Sequence, residues 1–451
     1  PTPELFQYFT LSMKRDDGAI VYLNGEEIIR ENLPDSKIYY ETYATEPAID
    51  ASEGNWFEWN LSCDRLQQGK NTLAVEVHQY RPTSSDLSFD LEITANNYSE
   101  IVLIDSISFK PQYQDVSYGR DPNNNNWYYF GEPTPGQSNT TTACVTADTS
   151  TSITFSLECG FYDRAVSLDM YTESIDAEIH YTIDGSKPTE RSSVFNQSID
   201  LNSSTIINAR AFEPNKLPGI IGTKSYFINE NESSLPVVSV TADPFTLWDD
   251  QYGIYANNLK QREIPISLTY FEPDGTIGFD VNAGARIGGM NIWRFAQKPL
   301  TIYMRSRYGD DIINYHLFEN KPVGMFSRIV LRNGGDDWLK AMLRDPMTEA
   351  LLSGQVMNGF QAYKPCVVYL NDQYWGLQNI REKFDPMYFS TNYNVDPLSY
   401  NQLEYSFVSS NLVRLGIVHG DADSYRSILT YMETHDLAVA DNYAYVGSLM
   451  N

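Results

Sequence analysis

Apolar and polar residues alternate in short runs over the first half of the chain, as in Ala19–Leu23, Leu73–Val77, Leu87–Ile93 and Ile101–Phe109. A period of two puts alternate side chains on opposite faces of a pleated strand, so each run predicts a half-buried β-strand. The runs are rich in β-branched and aromatic residues and are separated by turn formers: Asp17-Gly18, Asn24-Gly25 and Asn123–Asn126. Short strands at this spacing predict antiparallel sandwiches, not a parallel sheet. From Leu235 onward helices are expected among the strands. Ile264–Phe271 and Thr276–Val281 flank a Glu272-Pro273-Asp274-Gly275 turn, and Val367–Leu377 forms a second hairpin around Asn371-Asp372. Asp345 followed by Pro346 reads as a helix N-cap with proline at the first helical position, and Gly354 as its stop. Asp423-Ser424 is expected to cap a helix over Tyr425–Thr434. The boundary between the β-rich and mixed parts is expected at Asn229–Leu235, where Pro, Asn, Glu and Ser accumulate.

A chain of 451 residues is too long for one core. No run of 18 apolar residues occurs, so no transmembrane helix is expected. The start at Pro1, without a Met, suggests a processed or excised segment. With 59 acidic and 32 basic residues the net charge is -27, which repels phosphate backbones and anionic membranes. Nucleic acid is therefore excluded as a partner. Acidity with 32 tyrosines and few lysines suits an extracellular or cell-surface protein. Four cysteines are too few for a disulfide framework. Cys144 and Cys159 flank one short stretch and would pair in an exported chain; buried free thiols are the alternative.

Particular motifs carry resemblances. Residues 1–94, through Arg15–Gly25, Asn71–Gln79 and Ser84–Asp90, resemble a jelly-roll module of secreted bacterial proteins. In it Asp16, Asp17 and Asp86 either cap turns or hold calcium, a hard ion that prefers oxygen ligands. Residues 95–142 resemble the tail end of a bacterial lamin-tail domain, through Ile101–Asp105, Asp115–Arg120 and Pro133–Asn139. A piece this small cannot bury its own faces, so its strands are expected to pair with a neighbour. Residues 143–232 resemble the Ig-like C-terminal module of chitobiases and β-hexosaminidases, through Cys159–Tyr162, Ile179–Thr189 and Thr205–Phe212. His180 on a strand there is expected to be structural.

Residues 233–451, through Leu235–Val240, the Arg286…Lys298 stretch and Tyr369–Gly376, resemble the front of a CotH kinase-like domain. The fold class is thus multidomain: β-sandwich modules, jelly roll and Ig-like, followed by an α+β kinase-like domain that is incomplete. The resemblance implies ATP and magnesium as cofactors and a secreted protein as phosphate acceptor. A glycine-rich Gly284–Gly289 turn, with Gly288 and Gly289, would close over ATP phosphates. Lys298 would grip them beside Arg286, with Glu349 or Glu382 holding the lysine. The plain alternative makes Gly288-Gly289 a hairpin turn and Lys298 a solvated strand residue. Neither a His-Arg-Asp-type loop nor an Asp-Phe-Gly-type motif is present, and the family's metal-binding aspartates would follow Asn451. The chain as written is therefore expected to bind nucleotide weakly or not at all and to lack phosphotransfer. The competing readings are a non-catalytic surface or matrix protein that binds cell-surface glycan and, more remotely, a glycoside hydrolase. Trp127–Phe130 would either stack on sugars or pack between modules.

Overall fold

The computed structural model describes residues 6–39, 42–47, 55–81, 89–96, 101–107, 116–134, 137–139, 141–230, 233–289, 295–352, 359–409 and 412–449. In the first unit, a four-stranded sheet (Phe57–Ser62, Tyr8–Arg15, Phe89–Asn96, Ile101–Ile107) is accompanied by a three-stranded one (Glu26–Glu31, Gly18–Leu23, Leu73–His78). The alternation read from sequence fills one core: Phe9, Leu11 and Met13 from one strand meet Ala19, Val21 and Leu23 from another. Asn24 and Gly25 turn the hairpin at φ of 52° and 86°, the left-handed pair that matches strand twist. The strand Ile101–Ile107 pairs antiparallel with Phe89–Asn96, so the lamin-tail-like piece extends the first unit's sheet. Trp127–Phe130 is the middle strand of a small sheet, between Ser117–Arg120 and Ala143–Cys144.

The Ig-like unit is built on a five-stranded sheet: Gly160–Tyr162, Gly222–Ile228, Thr205–Phe212, Glu178–Thr182, Ser193–Val194. Its core holds Leu168, Ile207, Ala209 and Tyr226. His180 is buried, with Nδ1 3.1 Å from the Ser192 carbonyl and its ring edge-on to Phe212.

The last unit is a closed seven-stranded barrel, an architecture the hairpin pattern did not reveal. Its strands are β1 (Val237–Thr241), β2 (Ile264–Phe271), β3 (Ile277–Ile287), β4 (Leu300–Tyr303), β5 (Arg328–Arg332), β6 (Tyr363–Leu370) and β7 (Gln373–Glu382). The order is β1-β2-β3-β4-β5-β7-β6, and β6 closes onto β1 in parallel. Closure leaves no open edge. Val240, Leu268, Ala283, Ala285, Leu300, Ile302, Ile329, Leu331, Val368 and Ile380 fill the interior. Helix α1 (Arg344–Leu352) lies between β5 and β6 in the chain; α2 (Pro386–Tyr393), a hairpin of Gln402–Ser409 and Leu412–His419, α3 (Asp423–Thr434) and α4 (Ala440–Leu449) follow β7. Cys159 and Phe227 of the Ig-like unit pack with Val237, Phe271 and Tyr369 of the barrel, so the two units share an apolar core. The Ser225 and Ser239 hydroxyls meet at 2.9 Å beside it.

Three expectations change. Asp345 does not cap α1: the Asp337 carboxylate accepts the Leu343 and Arg344 N–H groups at 3.2 and 3.3 Å, leaving Asp345 inside the helix. Helix α3 begins at Asp423, with Ala422 at the N-cap position and no side-chain cap bond, so Asp423 lies in the first turn; Asp421 accepts its N–H at 2.9 Å. Gly284 lies within β3 and not in a turn. A Cβ there would come within 2.5 Å of Glu263 and Tyr308, so the glycine makes room for neighbours. Of the two readings open for Cys144 and Cys159, the buried free thiols hold. Cys144 packs on Tyr129 and Leu217, and Cys159 on Phe227, in separate cores.

Candidate functional site

Strand alternation sorts the charges of the barrel. Across β3, β4, β5 and β7 one row pairs Arg286 with Thr301, Thr301 with Val330, and Val330 with Arg381. Their neighbours Ala285, Ile287, Leu300, Ile302, Ile329, Leu331 and Ile380 are core residues. Arg286, Arg328, Arg332 and Arg381 therefore project from the outer surface.

Tyr303 is the hub of that surface. The guanidinium carbons of Arg286, Arg305 and Arg328 lie 5.0, 5.1 and 5.1 Å from its ring centre, and Arg286 also donates to its hydroxyl. Ring faces carry negative charge and attract cations, which gathers three arginines that would otherwise repel. Some cations in this region are compensated: Glu263 pairs with Arg305 and Arg307 at 3.0 and 2.7 Å, and Asp345 with Arg332 at 2.7 Å. Arg381 is clamped on α1 by Asp345 and by Glu349 at 3.0 Å. Others are not. Arg286 forms no ion pair with a described carboxylate, and its buried Nε has no hydrogen-bond partner. Among the described carboxylates Arg328 pairs only with Asp385, at 3.8 Å. Desolvation holds the Lys383 ammonium below the usual lysine range; Glu404 pulls it up, while Arg328, Arg332 and Arg286 push it further down. Lys383 is nevertheless exposed, and about 38% of the Arg328 side chain is open to water. This wall thus carries a surplus of accessible positive charge in a protein of net charge -27, chemistry that can meet an anion.

Glu382, between Arg381 and Lys383, faces the opposite way. Lys321 donates to it at 2.5 Å, to the Phe360 carbonyl at 2.7 Å and to Asn392 at 3.0 Å, so all three ammonium protons are used. Both partners of this pair are buried. This group has no donor left for a ligand.

The sequence-derived residues thus separate. Arg286 lies on the open cationic surface. Gly288 and Gly289 end β3 beside it: the Gly288 N–H bonds the Pro299 carbonyl at 3.1 Å, and Gly289 has φ of 85°, which favours glycine. The loop that follows, 290–294, is outside the described residues. Lys298 is buried rather than solvated; its ammonium donates to the Phe295 carbonyl at 2.9 Å and lies 5.9 Å from the Tyr255 ring, and desolvation lowers its pKa. Glu382 is held by Lys321 and Glu349 by Arg381, so the glutamate clamps expected on Lys298 serve other cations. Tyr303, Lys321, Arg328 and Lys383 went unremarked in the sequence, although Arg328 and Arg332 alternate visibly with Ile329 and Leu331.

In the first unit Asp16 and Asp17 are buried, and Asp17 accepts the Tyr80 N–H at 2.6 Å, which is a turn-locking role. Asp86 is outside the described residues. Among the described residues no three His, Cys, Asp or Glu side chains converge as a metal-holding group. None of the described helices is long and apolar enough to cross a membrane.

A β-barrel with a cation-lined outer wall, followed by helices and preceded by an Ig-like module, is the class these features define. The CotH kinase protein family model matches residues 285–428, and the model of the chitobiase/beta-hexosaminidase C-terminal domain matches 157–221. The chain thus carries a CotH kinase-type domain behind a chitobiase-type module. No curated protein matches it. The CotH match takes in Arg286, Tyr303, Arg328 and Lys383 together, along with the sealed Lys321–Glu382 pair.

Proposed function

We propose that the barrel's outer wall grips the polyphosphate of ATP, as the nucleotide-holding part of a CotH-type kinase domain. The observation that carries this reading is the convergence of Arg286 and Arg328 on Tyr303, with Lys383 close enough to feel both charges. Phosphates carry several negative charges on oxygen acceptors, and guanidinium and ammonium groups meet them with charge-assisted hydrogen bonds. Arg286 suits the role, since an unsatisfied Nε gains a partner when an anion arrives. The Arg381–Glu349–Asp345 clamp stiffens the wall by tying β7 to α1. The CotH kinase match supports phosphotransfer as the activity of such a domain, and a hydroxyl of a secreted protein, outside the cell, is the acceptor in this reading. A non-catalytic surface role is the alternative.

The test is a binding series of adenosine, AMP, ADP and ATP, read by calorimetry. Affinity that climbs with each phosphate supports the reading. Equal affinity for adenosine and ATP, or no binding of either, overturns it.

A further inference from the structure

A groove of about 3180 Å³ runs between the first unit, the small aromatic sheet, the Ig-like unit and the barrel. Its charge is opposite to that of the protein. Acids outnumber bases 59 to 32 in the chain, yet the groove is lined by eleven Lys and Arg residues and four acids. Three of those acids are already engaged. Glu263 pairs with two arginines, Glu76 lies 3.3 Å from His78, and Asp243 caps a helical turn at Phe245. Among the cations, Lys37, Lys70 and Lys260 form no ion pair with a described carboxylate. Lys37 and Lys260 rest on the Tyr39 ring at 5.7 and 5.4 Å, and Lys70 donates to the Pro122 carbonyl.

The size and the lining constrain the ligand. Pockets for small molecules span roughly 300–1,000 Å³, so a groove several times larger that touches all four of these parts suits a polymer. Between the cations lie the exposed Tyr43 ring and a run of amides at Asn123–Asn125, while the rings of Tyr39 and Trp127 already carry Lys37 and Lys260, and Tyr118 and Arg120. Aromatic faces stack on the apolar faces of sugar rings, and amides match hydroxyl groups in both donor and acceptor roles.

We infer that this groove binds an acidic polysaccharide, a chain of uronate or sulfated sugars, with lysines and arginines on the anionic groups and Tyr43 and the amides on the rings. The site is independent of the nucleotide reading except at Arg286 and Arg305, which border both and are left unchanged in the test.

The experiment titrates the 451-residue chain with polygalacturonate, with dextran as neutral control and polyglutamate as polypeptide control. Polygalacturonate should bind and dextran should not, with affinity falling about tenfold or more between low and high salt, because binding releases counterions. The double variant Lys37→Glu/Lys260→Glu should weaken binding about tenfold or more while ATP affinity stays unchanged. If that variant fails to fold, Lys37→Gln/Lys260→Gln is the substitute, with a loss of about threefold. Absent polygalacturonate binding, polyglutamate bound as tightly, or binding indifferent to both variants would each overturn the inference.

Discussion

Arg381, Glu382 and Lys383 are consecutive, yet they belong to two different worlds. Glu382 faces inward and is sealed with Lys321, each hydrogen of the ammonium satisfied. Lys383 faces outward into a field of arginines and water. Burial with complete pairing makes a charge structural, because its partners leave nothing for a ligand. Exposure with incomplete pairing makes it available. The period of the strand, one residue in and the next out, is what separates the two roles.

The sealed side should give the largest effect of substitution. Glu382→Ala leaves Lys321 buried without its counter-charge and is expected to cost about 3–5 kcal/mol in denaturant unfolding of the barrel. The pair Lys321→Met/Glu382→Leu should recover most of that loss, since no charge is then stranded. A single variant as stable as the parent would break the comparison on the sealed side.

Phe227→Ala empties a fully buried position where the Ig-like unit meets the barrel and is expected to cost about 3–5 kcal/mol by leaving a cavity. Its distinctive readout is uncoupling: the two units should melt separately in calorimetry, whereas the parent melts as a unit.

A smaller effect is expected at the β6–β7 turn, where Asn371 and Asp372 have φ of 48° and 60°. Desolvation, followed by the charge of Glu230, pushes the Asp372 carboxyl up to about 6. A raised acid favours the protonated folded form, so its contribution to stability is present below the unfolded value of about 4 and is lost as pH rises through 6. Asp372→Asn should remove that part of the fall in melting temperature between pH 4.5 and 7.5. An unchanged fall would contradict the assignment. Least of all should Lys224→Ala matter: its bridge to Asp280 at 2.8 Å is partly exposed and is worth under about 1 kcal/mol.

Much of this was legible in the sequence, because local pattern carries it. Alternation marked the strands, Asn24-Gly25 and Asn371-Asp372 marked their hairpins, and the Arg328-Ile329-Val330-Leu331-Arg332 run already separates an outward from an inward face. Lys298 shares the parity of Leu300 and Ile302, which points to burial, and the glycine pattern drew attention away from it. What was not legible depends on distant pairing. Lys321 meets Glu382 across 61 positions, and closure of the barrel requires β6 to lie parallel to β1, which no short motif encodes. Asp337 displaced Asp345 as the cap because Asp345 is drawn to Arg332 and Arg381, residues on other strands.

The central claim is that the open cations, and not the sealed pair, hold the nucleotide. It is tested most directly by titrating ATP into the parent and into Arg286→Ala/Lys383→Ala, with the melting temperature of each measured alongside. The account predicts an ATP affinity lowered about tenfold or more, which is about 1.4 kcal/mol or more, at nearly unchanged stability. ATP binding of equal strength in the two proteins would contradict it.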